Sequence, residues 1–534
     1  MKKTLITLAL AVITMAAGAQ GPQAKTSCGV LEGTYESGIK VFRGVPFAQP
    51  PVGELRWKAP QPVKPWTGVR AAKHFGPNPM QQNLFGDMNF GTPENSEDCL
   101  YLNIWTPSKT MDERLPVLIY FNGGGLVAGS GSEPRYAGES MARRGIISIT
   151  ANYREGIFGF FAHPELSKET SYKGSGNYGF LDQVAAIKWV KDNIAAFGGD
   201  PERITIVGES AGSASVSALM ASPLCQGLFA QAMGSSASVV AYDKVPTLKE
   251  AEEAGKAVMK AVGCASIAEM RAMPAAELLE KAGAASMQKM YNIDGYFFTE
   301  QPVDTYNNGR QAHVPLLVGW NSAEMPIAAV LGGRPMTVAS VREAVKSVFG
   351  DDTDKVLEAY GLTTDEAVAG QPGWRLGSDM FVAFGTWKWA DMHARTGQQP
   401  VYRYLYYHPR PAMRVSGKVA GLAGGVIDAE ENATPQPAAT GAVHSADIEY
   451  AMGTLPTNRV YDWQAADFTV STIFQNYYLN FIKTGNPNGL GQPEWQPVNG
   501  HDVPPVLQIG TDTYLKADAQ LENAYRTADK AVWK

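Results

Sequence analysis

Ile204-Thr205-Ile206-Val207-Gly208-Glu209-Ser210-Ala211-Gly212 joins a short apolar run to a G-x-S-x-G pentapeptide. The run is rich in β-branched residues and has the length of a buried strand. Ser213–Met220, which follows, reads as a helix. In a chain with 55 glycines the pentapeptide alone arises readily by chance. The strand before it and the helix after it make the pattern specific. Glycines at both flanks leave room where side chains would collide with strand and helix. The serine is then held in a strained turn, its hydroxyl projecting above a sheet at the positive end of a helix.

Working outward, the same alternation continues. Pro116–Phe121 (PVLIYF) and Gly145–Asn152 are further apolar runs of strand length, and Leu181–Ala196 places Val184, Ile187, Val190 and Ile194 at helical spacing. Buried strands alternating with amphipathic helices imply a parallel sheet covered on both faces. Pro315–Gly319 and Val401–Tyr407 extend the sheet, Leu248–Lys289 is Ala-, Glu- and Lys-rich and helical, and Val419–Ala442 is a long surface loop. We read residues 20–534 as one large α/β domain with helical insertions and no internal repeat.

Lys2 and Lys3, an apolar stretch from Leu5 to Met15 and the small residues Ala17-Gly18-Ala19 have the order of a secretory signal peptide over residues 1–19. The expected location is therefore extracellular or periplasmic. Loss of the two lysines takes the formal net charge from −6 to about −8. A mildly acidic chain without Lys/Arg runs gives no reason to expect nucleic acid or an anionic membrane as partner. No other segment is long and apolar enough to span a bilayer, so stable membrane association is not expected. Cys28, Cys99, Cys225 and Cys264 are too widely spaced for a zinc knuckle, and no metal site is read. Export permits disulfides, and four cysteines allow three full pairings.

A serine nucleophile needs N–H donors where negative charge develops. Asn122-Gly123-Gly124-Gly125 follows the strand Pro116–Phe121, and the bare backbone of a glycine triplet can approach a carbonyl. The amides of Gly124, Gly125 and Ala211 are the expected donors. No cofactor is called for.

The longer motifs then identify a family. Phe42-Arg43-Gly44-Val45-Pro46-Phe47-Ala48 with Pro50–Trp57, Ser96-Glu97-Asp98-Cys99-Leu100-Tyr101-Leu102-Asn103, Asn177-Tyr178-Gly179, Asp182-Gln183 and Phe197-Gly198-Gly199-Asp200-Pro201 lead in order to the pentapeptide. Across nearly the whole mature chain they resemble the type-B carboxylesterases, the group that includes liver-type carboxylesterases, cholinesterases and bacterial para-nitrobenzyl esterases. The resemblance implies an α/β-hydrolase fold: a large, mostly parallel central sheet with helices on both faces. It implies Ser210 as nucleophile, and matches the acid to Glu324 in Val318–Glu324 and the general base to His444 in Gly441–Tyr450. The order Ser, acid, His is the one this fold uses. His444 is one of seven histidines, and the flanking match alone singles it out. Glu209 is read as a buried polar support, and Ser236 as the serine behind the acid.

The chain also departs from the family pattern. Asn122 stands where histidine or tyrosine is common, and Glu324 lies between Ala323 and Met325 rather than before glycine. Met80 replaces the usual disulfide partner of Cys99, which leaves Cys99–Cys28 and Cys225–Cys264 as candidate bridges. Met325, Phe381, Trp387 and Trp389 are candidates for a substrate gorge or for plain core packing. The expected reaction is two-step hydrolysis of a small-molecule carboxylic ester. The alternatives are lipase or amidase activity at the same site, or a non-catalytic adhesion member of the fold.

Overall fold

Val117, Ile119 and Phe121 pack into one hydrophobic cluster and Leu118 and Tyr120 into another, because successive side chains of a strand face opposite sides of its sheet. This split repeats across an eleven-stranded sheet in a computed structural model that describes residues 21–287, 291–415, 417–428 and 441–533. The signal-peptide segment and the end of the loop Val419–Ala442, residues 429–440, lie outside the described residues.

The strands are β1 Thr34–Glu36, β2 Ile39–Pro46, β3 Tyr101–Thr106, β4 Leu115–Phe121, β5 Ile147–Ala151, β6 Gly199–Glu209, β7 Gln231–Ser235, β8 Leu316–Asn321, β9 Val401–Tyr406, β10 Pro505–Ile509 and β11 Tyr514–Ala517. Their spatial order is β11-β10-β9-β8-β7-β6-β4-β5-β3-β2-β1. From β10 to β5 all pairings are parallel, and antiparallel strands finish both edges. The structure is thus the α/β-hydrolase architecture that the motifs imply. β6 extends beyond the apolar run Ile204–Val207, from Gly199 through an irregularity before Ile204 to Glu209.

Helix α1 (Tyr178–Asn193) lays Val184, Ile187 and Val190 on one face of the sheet, beside α2 (Ala211–Ala221). A 3-10 turn over Ile194–Phe197 tightens its end, and Gly198, at φ 85°, stops it. The expected helical stretch Leu248–Lys289 is broken into α3 (Leu248–Val262), α4 (Ile267–Ala272) and α5 (Ala275–Ala282). Thr247 and Glu250 form a capping box before α3, Gly263 at φ 83° ends it, and Pro274 separates α4 from α5. The other face of the sheet is covered by α7 (Ala465–Thr484) through Val470, Phe474, Tyr477 and Phe481. Each such side chain contributes about 1.5–3 kcal/mol on full burial. Between them in the chain, α6 (Phe384–Thr396) buries Trp387 and Trp389 completely, which makes both core residues, and α8 (Ala519–Val532) packs against Trp387 through Tyr525.

Neither candidate bridge forms: all four cysteines are free. Cys225 belongs to the main core, whereas Cys264 packs against the separate cluster formed by α3–α5. Burial pushes the Cys225 thiol up to about 12 and that of Cys99 well above its ordinary value, so neither forms a thiolate readily. Among the described residues no helix is long and apolar enough to cross a membrane. Alkylation of the denatured, unreduced chain is expected to add four labels by intact mass, with none gained on prior reduction; two fewer labels would show that a bridge exists.

Candidate functional site

Ser210 follows the last residue of β6 and precedes the first of α2, at φ 55° and ψ −124°. A non-glycine residue in such a region costs about 1–3 kcal/mol and persists only where its surroundings enforce it. Here the enforcement is steric. A Cβ on Gly208 would stand 2.2 Å from the Gly212 carbonyl carbon, and one on Gly212 would stand 2.1 Å from the Phe121 carbonyl oxygen. The chain turns in a space that admits only backbone, and the Ser210 amide donates to the Ser235 carbonyl at 2.8 Å.

The other two residues matched by the motifs reach Ser210 from distant loops. Glu324 lies just beyond the end of β8, and His444 in the loop before the short helix Ile448–Met452. His444 Nε2 is 3.0 Å from Ser210 Oγ, and His444 Nδ1 is 2.6 Å from Glu324 Oε2. The second oxygen, Glu324 Oε1, accepts from Ser236 Oγ at 2.5 Å and from the Asn321 amide at 2.6 Å. Ser236 therefore stands behind the acid. In the chain Ser210–His444–Glu324 a hydroxyl lies beside one ring nitrogen, and the opposite ring nitrogen is held by a buried carboxylate.

Glu209, read from the motifs as a buried polar support, lies against the ring of His444. Its Oε1 is 3.4 Å from His444 Nε2. Burial raises its carboxyl to about 8. Burial alone would push the His444 ring down, but the Glu209 and Glu324 carboxylates overcome it and raise the ring to about 9. Asp447, also raised by burial, accepts from Ser235, from Asn321 Nδ2 at 3.1 Å and from Tyr404 at 3.2 Å.

The glycine loop closes over the elbow. A Cβ on Gly123 would lie 3.0 Å from that of Ser210. Gly124 adopts φ 114°, and a Cβ there would be 2.0 Å from the Ala128 oxygen, so glycine is required. No backbone carbonyl among the described residues takes the Gly124 or Gly125 amide. Ala211 opens α2, so its N–H has no acceptor within the helix. Three free donors thus lie on the two segments that meet at Ser210.

Sequence reasoning missed Asn321, whose amide donates to Glu324 three residues on and whose side chain reaches the His444 loop, and Asp447, which lies in that loop. Phe381, one of several gorge candidates, is placed by a π turn over Asp379–Ala383 with its ring centroid 4.8 Å from that of His444, edge to face. Among the described residues no group of three or more His, Cys, Asp or Glu side chains could hold a metal ion.

Comparison with known proteins agrees with this fold. The sequence profile of the carboxylesterase family matches residues 20–533. Fumonisin B1 esterase of Sphingopyxis macrogoltabida is 37% identical over 71% of this chain and 70% of its own length. Para-nitrobenzyl esterase of Bacillus subtilis is 29% identical over 87% of this chain and 90% of its own. Among solved structures, a Geobacillus stearothermophilus carboxylesterase superposes with a TM-score of 0.79 at 29% identity, covering 94% of this chain and 99% of that one. From its matched length, its sheet and its relatives, this chain belongs to the carboxylesterase family and is a carboxylic ester hydrolase.

Proposed function

We propose that the ester is cleaved by two-step acyl transfer through Ser210, His444 and Glu324. The observation that carries the proposal is the unbroken chain of contacts, 3.0 Å from Ser210 Oγ to His444 Nε2 and 2.6 Å from His444 Nδ1 to Glu324. His444 takes the Ser210 proton as Oγ attacks the ester carbonyl. The Gly124, Gly125 and Ala211 amides receive the oxyanion, each donor contributing about 3–4 kcal/mol of transition-state stabilisation. Collapse expels the alcohol, which takes its proton from His444. Water then repeats the sequence on the acyl-enzyme and frees the acid. Glu324 holds the ring in one tautomer and stabilises the imidazolium formed in each step. Export through the N-terminal segment is part of the same reading, with hydrolysis outside the cytoplasm and small-molecule esters as substrates.

Ser210→Ala is expected to lower kcat on p-nitrophenyl acetate and butyrate by about 10⁴–10⁶-fold while leaving the circular dichroism spectrum unchanged. A folded variant with the parent rate refutes the assignment. Matched anilides should turn over far more slowly than esters; equal rates would favour the amidase alternative.

The pH profile follows from the raised ring. The base acts when neutral, so kcat/KM should rise with pH along a limb lying alkaline of the 6.5 of an ordinary histidine, towards about 9. Glu209→Gln removes one of the carboxylates that raise the ring, and the limb should move to lower pH. A limb that stays in place or moves up contradicts this electrostatic account.

A further inference from the structure

Asn122 occupies the position before the glycine triplet, fully inside the protein, and its carboxamide donates twice. Asn122 Nδ2 is 3.0 Å from the Gly123 carbonyl oxygen and 3.1 Å from Glu155 Oε1. The first contact falls on a particular peptide unit. The Gly123 carbonyl and the Gly124 N–H belong to the same planar group, oriented in opposite directions by the trans peptide bond. Fixing that oxygen therefore fixes the direction of the Gly124 N–H. A donor on the carbonyl also polarises the unit and strengthens its N–H as a donor.

Glu155 determines where the carboxamide sits. It has no exposed surface, and the segment around it grips the glycine loop at two further points. The Tyr153 hydroxyl donates to the Asn122 carbonyl at 2.9 Å, and the Gly156 amide to the Leu126 carbonyl at 2.7 Å. The second oxygen, Glu155 Oε2, is buried and has no hydrogen-bond partner among the described residues. Burial pushes that carboxyl well above its ordinary value, which favours the uncharged acid. It accepts on Oε1 from Asn122, while the Tyr153 proton goes to the Asn122 carbonyl. Tyr153 and Glu155 thus hold Asn122 by its carbonyl and by its carboxamide. Gly129 packs directly over it: a Cβ there would be 2.1 Å from Asn122 Nδ2 and 2.5 Å from the Gly123 oxygen.

We propose that Asn122 and Glu155 act in series as positioning residues, Glu155 holding the Asn122 carboxamide and Asn122 aiming the Gly124 N–H at the developing oxyanion. The inference rests on the reading of Gly124 as an oxyanion donor. Neither residue touches substrate, so neither contributes ground-state binding. Their removal should act on the transition state alone.

Asn122→Ala and Glu155→Leu are each expected to lower kcat on p-nitrophenyl butyrate by about 10- to 100-fold, less than full loss of a donor, with KM changed by no more than about twofold. Affinity for a trifluoromethyl ketone, whose adduct with Ser210 places an oxyanion in the hole, should fall by the same factor as kcat/KM. The double variant should lose no more than the worse single, because one chain of contacts is broken twice. Glu155→Gln, which keeps a carbonyl acceptor for Asn122 and carries no charge, should stay within about threefold of the parent. Losses that multiply, a Glu155→Gln as impaired as Glu155→Leu, or folded single variants with the parent kcat each overturn the proposal. If Glu155→Leu does not fold, Asn122→Ala and Glu155→Gln carry the test. Ser210→Ala is measured beside them. If it is inactive while Asn122→Ala keeps the parent rate, only the positioning role falls; if it is active, the acyl-transfer reading falls first.

Discussion

The close approach of β4, β6 and α2 leaves the chain no gradual path from strand to helix. Gly208 and Gly212 are within about one carbon–carbon bond of collision with neighbouring backbone, so the residue between strand and helix must take a left-handed turn. That constraint is maintained by the sheet. β6 lies between β4 and β7 with parallel partners on both sides, and α2 cannot back away because Val216, Leu219 and Met220 are buried in the main core. The strain at Ser210 is thus offset by apolar burial spread across the sheet face. The adjoining strand ends then supply the remaining parts: β4 leads to the glycine loop, β7 to Ser236 and β8 to Glu324.

Around His444 the protein places three carboxyls, Glu209, Glu324 and Asp447, none with appreciable exposure. Three ionised groups cannot share such a space with one histidine without severe repulsion. The hydrogen bonds distinguish them. Donors from Ser236, the Asn321 amide and His444 converge on Glu324, and donors from Ser235, Asn321 and Tyr404 on Asp447. Among the described residues Glu209 Oε1 has no hydrogen-bond donor besides its contact with the histidine. Glu209 is therefore the carboxyl for which burial is least compensated, which is why its charge is the most sensitive to the protonation of the ring.

What the sequence made legible follows the range of the interactions. The strand-turn-helix at Ser210 is local, and the apolar periods that define β4, β6 and α1 place these elements within a few residues. Helix ends set by Gly198, Gly263 and Pro274 are also local, yet the composition of Leu248–Lys289 masked two of them by reading as one helical stretch. The pairing of Ser210 with Glu324 and His444 spans the chain, and only the longer motifs pointed to it. Asn321 and Asp447 lay inside the matched segments with no sign of their roles, and Glu155 had no sequence signal at all. A polar residue becomes part of a site by what is brought against it, and an acidic side chain next to Arg154 reads as surface until the fold buries it. The candidate disulfides failed for the same reason: the spacing of cysteines says nothing of which core each one joins.

The use of an acid at Glu155, rather than an apolar residue, becomes intelligible through its neutrality. On the reading proposed for Gly124, the loop above it concentrates positive potential where an oxyanion forms, and a fixed negative charge beneath that loop would oppose the reaction through a low-dielectric interior. An apolar side chain would avoid the charge but leave the Asn122 carboxamide short of an acceptor, at a cost of about 1–3 kcal/mol for the buried donor. A carboxyl whose charge is disfavoured by its own burial meets both conditions, since it supplies an acceptor without a fixed charge. The burial that would be a liability for an ionised Glu155 is thus what suits it to this position. The same physics operates with opposite emphasis at the residue before Ser210, where Glu209 is close enough to His444 for the ring's charge to work against burial.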